Sequence, residues 1–210
     1  LDSSAVAMRI ITEKASKRIA KHAFQTAVQR NGKRRVTCVH KSNVMRKTDG
    51  LFSKSCESVA KEFPDIKFDQ MYVDACSMNL IRQPQDFDVI VTTNLFGDIL
   101  SDESSQVVGG LGMAPAANIG DNFGLFEPVH GAAFDIAGKQ IANPTSFILS
   151  IKMMLEWLGT KNNDQNASSA AKILEDTVLN IVNSGVATKD IGGTMSTREF
   201  TKEVTNRLSD

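Results

Sequence analysis

The sequence predicts an α/β fold, on three observations. Short strand-like stretches occur at Arg35 to His40, with β-branched Val36, Thr37 and Val39, at Phe68 to Asp74 and at Phe87 to Thr92. Segments with a helical apolar period alternate with them, which is the order of an α/β sheet. A glycine-rich run from Gly109 to Gly120 then changes the texture of the chain and sets an expected domain boundary, giving an α/β domain over 1–108 and a second domain over 109–210. The 210 residues are 41% hydrophobic and 23% charged, which suits a globular protein and excludes disorder and collagen-like repeats. Lys+Arg and Asp+Glu are both 24, so the net charge gives no reason to expect nucleic acid or an anionic membrane surface as partner. No apolar run approaches the roughly 18 residues of a membrane span, and no signal-peptide pattern is present. Cys38, Cys56 and Cys76 lack CxxC spacing and read as buried thiols of a reducing compartment.

The elements follow in order. Apolar residues at Met8, Ile11, Ala15, Ile19, Ala23 and Ala27 predict a long amphipathic helix from Ala5 to Val28, with Gly32 as its stop. The first strand, Arg35 to His40, runs into Lys41-Ser42-Asn43. A helix from about Asp49 to Phe63, closed by Pro64, leads to the second strand, and Ala75 to Arg82 forms a short helix before Pro84. The third strand feeds NLFGDILSD, Asn94 to Asp102, expected to open a helix. Gly109 to Gly120 should be an extended crossing without regular structure, followed by a strand at Phe123 to Phe126 and a long binding loop from Glu127 to Pro144. Helices are expected at Thr145 to Leu158, ended by Gly159, at Ala170 to Val182, and at Thr197 to Leu208 behind a Ser196–Glu199 capping box.

The chemistry centres on NLFGDILSD. Asp98 and Asp102 are four residues apart, so a helix stacks both carboxylates on one face. Such a pair suits a divalent metal, a basic partner or a shared proton, or else it lies on a solvated face. Lys41, Asp74 and Asp98 follow strand ends, where ligands collect in open α/β sheets, so one lysine and three carboxylates are expected to converge. Hard oxygen donors favour Mg²⁺ or Mn²⁺, which would polarise a 2-hydroxy or 2-oxo carboxylate and stabilise an enolate as CO₂ leaves. Lys41 is then a proton acceptor, or alternatively a member of a surface salt bridge.

HKSNVMRKTDGLF (His40 to Phe52), YVDA (Tyr72 to Ala75), NLFGDILSD, GGLGMAPAANIGD and EPVHGAAFDIAGKQIANP, in this order, resemble the β-decarboxylating dehydrogenases of isocitrate, 3-isopropylmalate and homoisocitrate. The similarity runs from about Ala5 to the end and implies two α/β domains of that fold with its amino-terminal part absent, the second domain being the carboxyl-terminal part of a cofactor-binding domain. It implies oxidation of a malate-type 2-hydroxy acid by NAD⁺, then metal-assisted loss of the β-carboxylate. Lys41 matches the catalytic lysine, Asn43 a residue near nicotinamide and substrate, and Val44 a position beside the substrate side chain; Asp74, Asp98 and Asp102 match the metal-binding aspartates. In the family's homodimers the lysine and first aspartate serve the partner's site, which would apply to Lys41 and Asp74. No GxGxxG is present, and the resemblance assigns the dinucleotide instead to Glu127, His130, Gly131, Ala132, Asp135 and Asn143. A carboxylate at Asp135 favours NAD⁺ over NADP⁺ by repelling a 2′-phosphate.

Members of the family are longer at the start. The chain opens on Leu1 rather than Met, as expected of a processed product or fragment, and the part before it should hold the carboxylate-binding arginines and the catalytic tyrosine. The sole tyrosine, Tyr72, does not match that position, so little turnover is expected of these 210 residues alone. Other readings are a non-catalytic regulatory subunit and a stand-alone oligomerisation module. The expected substrate is 3-isopropylmalate ahead of isocitrate or homoisocitrate, and the expected location cytoplasm or else mitochondrial matrix.

Overall fold

Thr12 fixes where the first helix begins. In the computed structural model, which describes residues 3–209, its side chain accepts the Ala15 N–H at 3.2 Å and α1 spans Glu13–Arg30. Leu1 and Asp210, the outer ends of the two expected domains, lie outside the described residues. The expected start at Ala5 is therefore too early. Val6, Met8 and Ile10 are exposed and have no face to bury, whereas the buried stripe of α1 is Ser16, Ala20, Ala23, Phe24 and Ala27. Asn31, in the left-handed region, ends the helix one residue ahead of Gly32.

The chain divides into two units, Leu1–Ser104 and Ser105–Asp210. In the first, strands β1 (Arg35–His40), β2 (Lys67–Tyr72) and β3 (Val89–Thr92) form a parallel sheet in the order β2-β1-β3. Central β1 pairs Val39 with Met71 on one side and with Thr92 on the other, and is buried along nearly its whole length, as parallel sheets covered on both faces require. Helix α2 (Thr48–Ala60) joins α1 on one face, where Phe24, Ala27, Val36, Cys38, Phe52, Cys56 and Val91 make a core. Phe24 stacks on Phe63 with ring centroids 5.2 Å apart, an arrangement that contributes about 0.5–1.5 kcal/mol beyond burial. Helix α2 stops short of the expected Phe63, because the Glu62 and Phe63 amides turn back three residues to Val59 and Ala60. On the other face, α3 (Val73–Arg82) and α4 (Asn94–Val107) bring Cys76, Leu80 and Leu100 against Val39 and Ile90. All three cysteines are free and buried.

In the second unit, β4 (Pro115–Ile119) and β5 (Gly124–Pro128) form an antiparallel hairpin. The expectation of a crossing without regular structure is corrected here, since pairing Ala117 with Phe126 gives small, weakly strand-forming residues a partner. Helix α5 (Thr145–Asn162) is tied to the hairpin by Ser146 Oγ on the Ala114 carbonyl and Ser150 Oγ on the Glu127 carbonyl, 2.8 Å. Helix α6 (Gln165–Asn183) follows after Asn163, whose left-handed conformation ends α5 three residues past the expected leucine-glycine stop at 158–159. Gly159 lies inside α5, where an added Cβ would stand 2.3 Å from Ser168 Oγ. Helix α7 (Thr197–Ser209) starts at the expected capping box: Glu199 accepts the Ser196 N–H at 2.8 Å and its own N–H donates to Ser196 Oγ at 3.3 Å. Val178, Ile181, Phe200 and Val204 form the core between α6 and α7. No helix among the described residues is long and apolar enough to cross a membrane.

Candidate active site

Lys41 leaves β1 at its carboxyl end and enters a tight turn, closed by the Val44 and Met45 amides donating to the Lys41 carbonyl at 3.0 and 2.8 Å. Its ammonium stands 2.6 Å from Asp74 Oδ1 and 5.8 Å from the centroid of the Tyr72 ring. Neighbouring β2 supplies Tyr72 and the helix after it Asp74, because parallel pairing sets His40 beside Tyr72 and α3 starts immediately afterwards. Asp74 is therefore the second residue of α3 and not, as expected, the last of a strand. There the helix amino terminus favours a carboxylate. The hydrogen bond from Lys41 holds the Asp74 carboxyl below its ordinary range. A depressed folded value means that the pair is intact at neutral pH and is lost as pH falls through that value.

Asp98 and Asp102 lie one turn apart on α4, both exposed, and Asn94 Nδ2 donates to Asp98 Oδ2 at 3.1 Å. The four-residue spacing and all-oxygen donor set suit a hard divalent cation. The expected gathering of three carboxylates is not found within one chain: among the described residues, no three His, Cys, Asp or Glu come together to hold a metal. Asp74 is instead engaged with Lys41, and its side chain is 67% exposed. Asn43 and Val44 are also exposed, at the outer side of the Lys41 turn.

In the second unit, His130, Gly131, Ala132 and Asp135 are exposed between β5 and α5, with Asp135 in a 3-10 turn, Phe134–Ile136. A Cβ at Gly131 would meet nothing within 4 Å, so this stretch is open to a ligand. The residues fit a dinucleotide in exposure and in donor and acceptor type. Glu127 sits in β5, where Oε1 accepts from Asn118 Nδ2 at 3.0 Å. Asn143 is buried and turned inward: Oδ1 accepts the Thr145 N–H and Nδ2 donates to Asp190 Oδ2, each at 3.0 Å, so the side chain caps α5.

Sequence reasoning missed His40. Its ring is buried, with Nδ1 accepting the Ser42 N–H at 3.2 Å and Nε2 facing Gln70 Oε1 at 3.1 Å, and it meets the Tyr72 ring edge-on at 5.5 Å. With Ser42, Gln70, Met71 and Tyr72 it lines a cavity of about 330 Å³ next to Lys41. Arg9 and Asp49 were also missed as site residues. They form an ion pair at 2.9 Å beneath the Lys41 turn. Asp49 could have been suspected as an acid in the first turn of α2, a few residues from Lys41, but Arg9 carries no local signal.

Comparison with known proteins bears on what these residues serve. The family model described as isocitrate/isopropylmalate dehydrogenase matches residues 2–205. A relative from Sulfurisphaera tokodaii named 3-isopropylmalate dehydrogenase is 52% identical over 99% of this chain and 60% of its own length. One from Methanocaldococcus jannaschii named homoisocitrate dehydrogenase is 48% identical over 99% of this chain and 57% of its own length. The crystal structure of isocitrate dehydrogenase from Methylococcus capsulatus superposes with a TM-score of 0.88 at 42% identity, covering 100% of this chain and 61% of that one. The chain thus spans about 60% of the length of the first of these relatives. Its match over nearly all its residues, in sequence and in fold, places it in the isocitrate/isopropylmalate dehydrogenase family.

Proposed function

We propose that this chain carries the lysine- and aspartate-bearing part of an NAD-dependent enzyme that oxidatively decarboxylates a malate-type 2-hydroxy acid, with 3-isopropylmalate as substrate. The observation that carries the reading is the Lys41–Asp74 pair, 2.6 Å apart at the carboxyl end of a parallel sheet whose next helix presents Asp98 and Asp102. Isocitrate and homoisocitrate are the alternative substrates, since relatives bearing those names are nearly as similar.

When bound, NAD⁺ accepts the hydride from C2 and Mg²⁺ or Mn²⁺ draws electron density toward the substrate oxygens. Asp98 and Asp102 would hold the cation, and Asp74 would supply a third carboxylate from a second copy of the chain in a homodimer. Lys41, once its ammonium has released a proton to solvent, accepts the proton of the C2 hydroxyl as the free amine, Asp74 keeps its Nζ directed, and Val44 and Asn43 line the substrate and nicotinamide side. His130, Gly131, Ala132 and Asp135 bind the adenosine half, Asp135 through ribose hydroxyls. Glu127 and Asn143 support that loop, the latter from its capping position. The cytoplasm is the proposed location.

The test compares the 210-residue chain with the same chain extended to the length of its relatives. In the extended form, kcat/KM for 3-isopropylmalate should exceed that for isocitrate and homoisocitrate with NAD⁺ and Mg²⁺, whereas the shorter chain should turn over little. Mn²⁺ binding followed by electron paramagnetic resonance should weaken at least about tenfold in Asp98→Asn. Unaltered Mn²⁺ affinity would remove the metal assignment, and absence of turnover with all three acids would remove the activity.

A further inference from the structure

The chain also holds a device that rests on the roles just proposed for Lys41 and Asp98. Arg9 lies ahead of α1, far in sequence from everything it touches. One terminal nitrogen, Nη1, is 2.9 Å from Asp49 Oδ1 and 2.8 Å from Met45 Sδ, while the other donates to Thr93 Oγ1. The guanidinium lies over the Phe96 ring, 5.2 Å from its centroid. Asp49 is fully buried, and its second oxygen accepts the backbone N–H of Lys41 at 2.7 Å. A buried carboxylate is costly unless each oxygen finds a partner, and here each does. The same ion pair therefore touches the backbone of Lys41, the turn that follows it, and Thr93 and Phe96 at the entry to α4.

We propose that Arg9 and Asp49 are positioning residues: one bracket, half-buried at Arg9 and fully buried at Asp49, that fixes the backbone of Lys41 and the first turn of the Asp98 helix in a single register. The residue types follow from the geometry. Only a forked guanidinium reaches a carboxylate, a thioether and a hydroxyl while stacking on a ring, and a lysine keeps the charge but loses the fork. Only a carboxylate both neutralises Arg9 and receives the Lys41 amide. Neither residue is assigned contact with substrate. Their loss should displace reacting groups without removing binding groups, and displacement by about 1 Å can cost about 100-fold in rate.

The experiment uses Arg9→Lys and Asp49→Asn, with Lys41→Met in parallel. In the extended, active enzyme both bracket variants should lower kcat about 10–100-fold and leave KM within about threefold, the mark of an interaction needed in the transition state. In the 210-residue chain, hydrogen exchange at the Lys41 amide should accelerate at least about tenfold while that of Val39 within β1 stays unchanged. Folded variants that retain both kcat and Lys41 amide protection overturn the bracket. If Asp49→Asn does not fold, Arg9→Lys, which keeps the charge, decides alone. Full turnover by Lys41→Met would defeat the functional reading itself, whereas lost turnover there beside an unaffected Arg9→Lys defeats only the bracket.

Discussion

Alanine in place of a helical glycine ordinarily stabilises a protein, and Gly159 should reverse that sign. Glycine is about 1 kcal/mol less favourable than alanine within a helix. At Gly50 in α2 a Cβ would meet nothing within 4 Å, so Gly50→Ala should recover most of that gain. At Gly159 the same atom would stand 2.3 Å from Ser168 Oγ and 3.0 Å from both Ser168 N and the Asp164 carbonyl, where α6 begins. The hydroxyl can rotate away, but the two backbone atoms move only if α5 and α6 separate. Overpacking of this kind costs about 1–3 kcal/mol. Offset by the helix gain, Gly159→Ala should destabilise by up to about 2 kcal/mol. Trp157, the only tryptophan, lies on α5 with ring centroid 5.9 Å from that of Phe126, so its fluorescence reports unfolding of the second unit during urea titration. Gly159→Ala with Ser168→Ala should recover only the part owed to the hydroxyl. If Gly159→Ala raises the urea midpoint as Gly50→Ala raises stability by circular dichroism, the proposed close approach of the two helices is wrong.

Two further outcomes follow from burial and charge. Burial, with Glu103 nearby, pushes the Cys76 thiol up to about 11, and a hydrogen bond with Cys56 together with burial raises Cys38 as well. Being buried, all three cysteines of the native chain should react slowly with iodoacetamide at pH 8 and rapidly in urea; because the folded values of Cys38 and Cys76 are raised, their protonated thiols contribute stability below the ordinary thiol range, and it is lost as pH rises through about 11 for Cys76. Replacing Asp135 by Ala should lower the preference for NAD⁺ over NADP⁺ at least about tenfold in the extended enzyme, measured as the ratio of kcat/KM values; an unchanged ratio would take the ribose role from Asp135.

The sequence made some elements legible and hid others for identifiable reasons. Strand β1 could be read because both its faces are buried, so Val36, Thr37, Cys38 and Val39 form one unbroken strand-like run. The start of α1 could not, because Met8 and Ile11 happen to continue the helical period and only the Thr12 side chain interrupts it. Strand β4 was hidden because Pro-Ala-Ala-Asn-Ile has little strand preference and depends on β5. At the site, Lys41, Asp74, Asp98 and Asp102 stood in motifs, and α4 formed where NLFGDILSD indicated. Arg9 did not, since its partners lie 36 to 87 positions away and are brought to it only by the fold. His40 opens the HKSNVMRKTDGLF motif, but its place at the site depends on cross-strand pairing with Tyr72, which the motif does not show.

The β4–β5 hairpin has a consequence for the solubility of the chain. In a two-stranded sheet both strands are edges, and among the described residues neither β4 nor β5 has a further strand to pair with on its outer side. Beside these edges Phe123 and Leu125 are exposed, so self-association of the 210-residue chain should nucleate here and spread by strand addition. Two features restrain it. Pro115 and Pro128 face one another in the register and remove the amide donors at one end, and Glu127 places a charge among the apolar neighbours. The hairpin is thus the segment where a stabilising partner strand would do the most to keep the chain in solution.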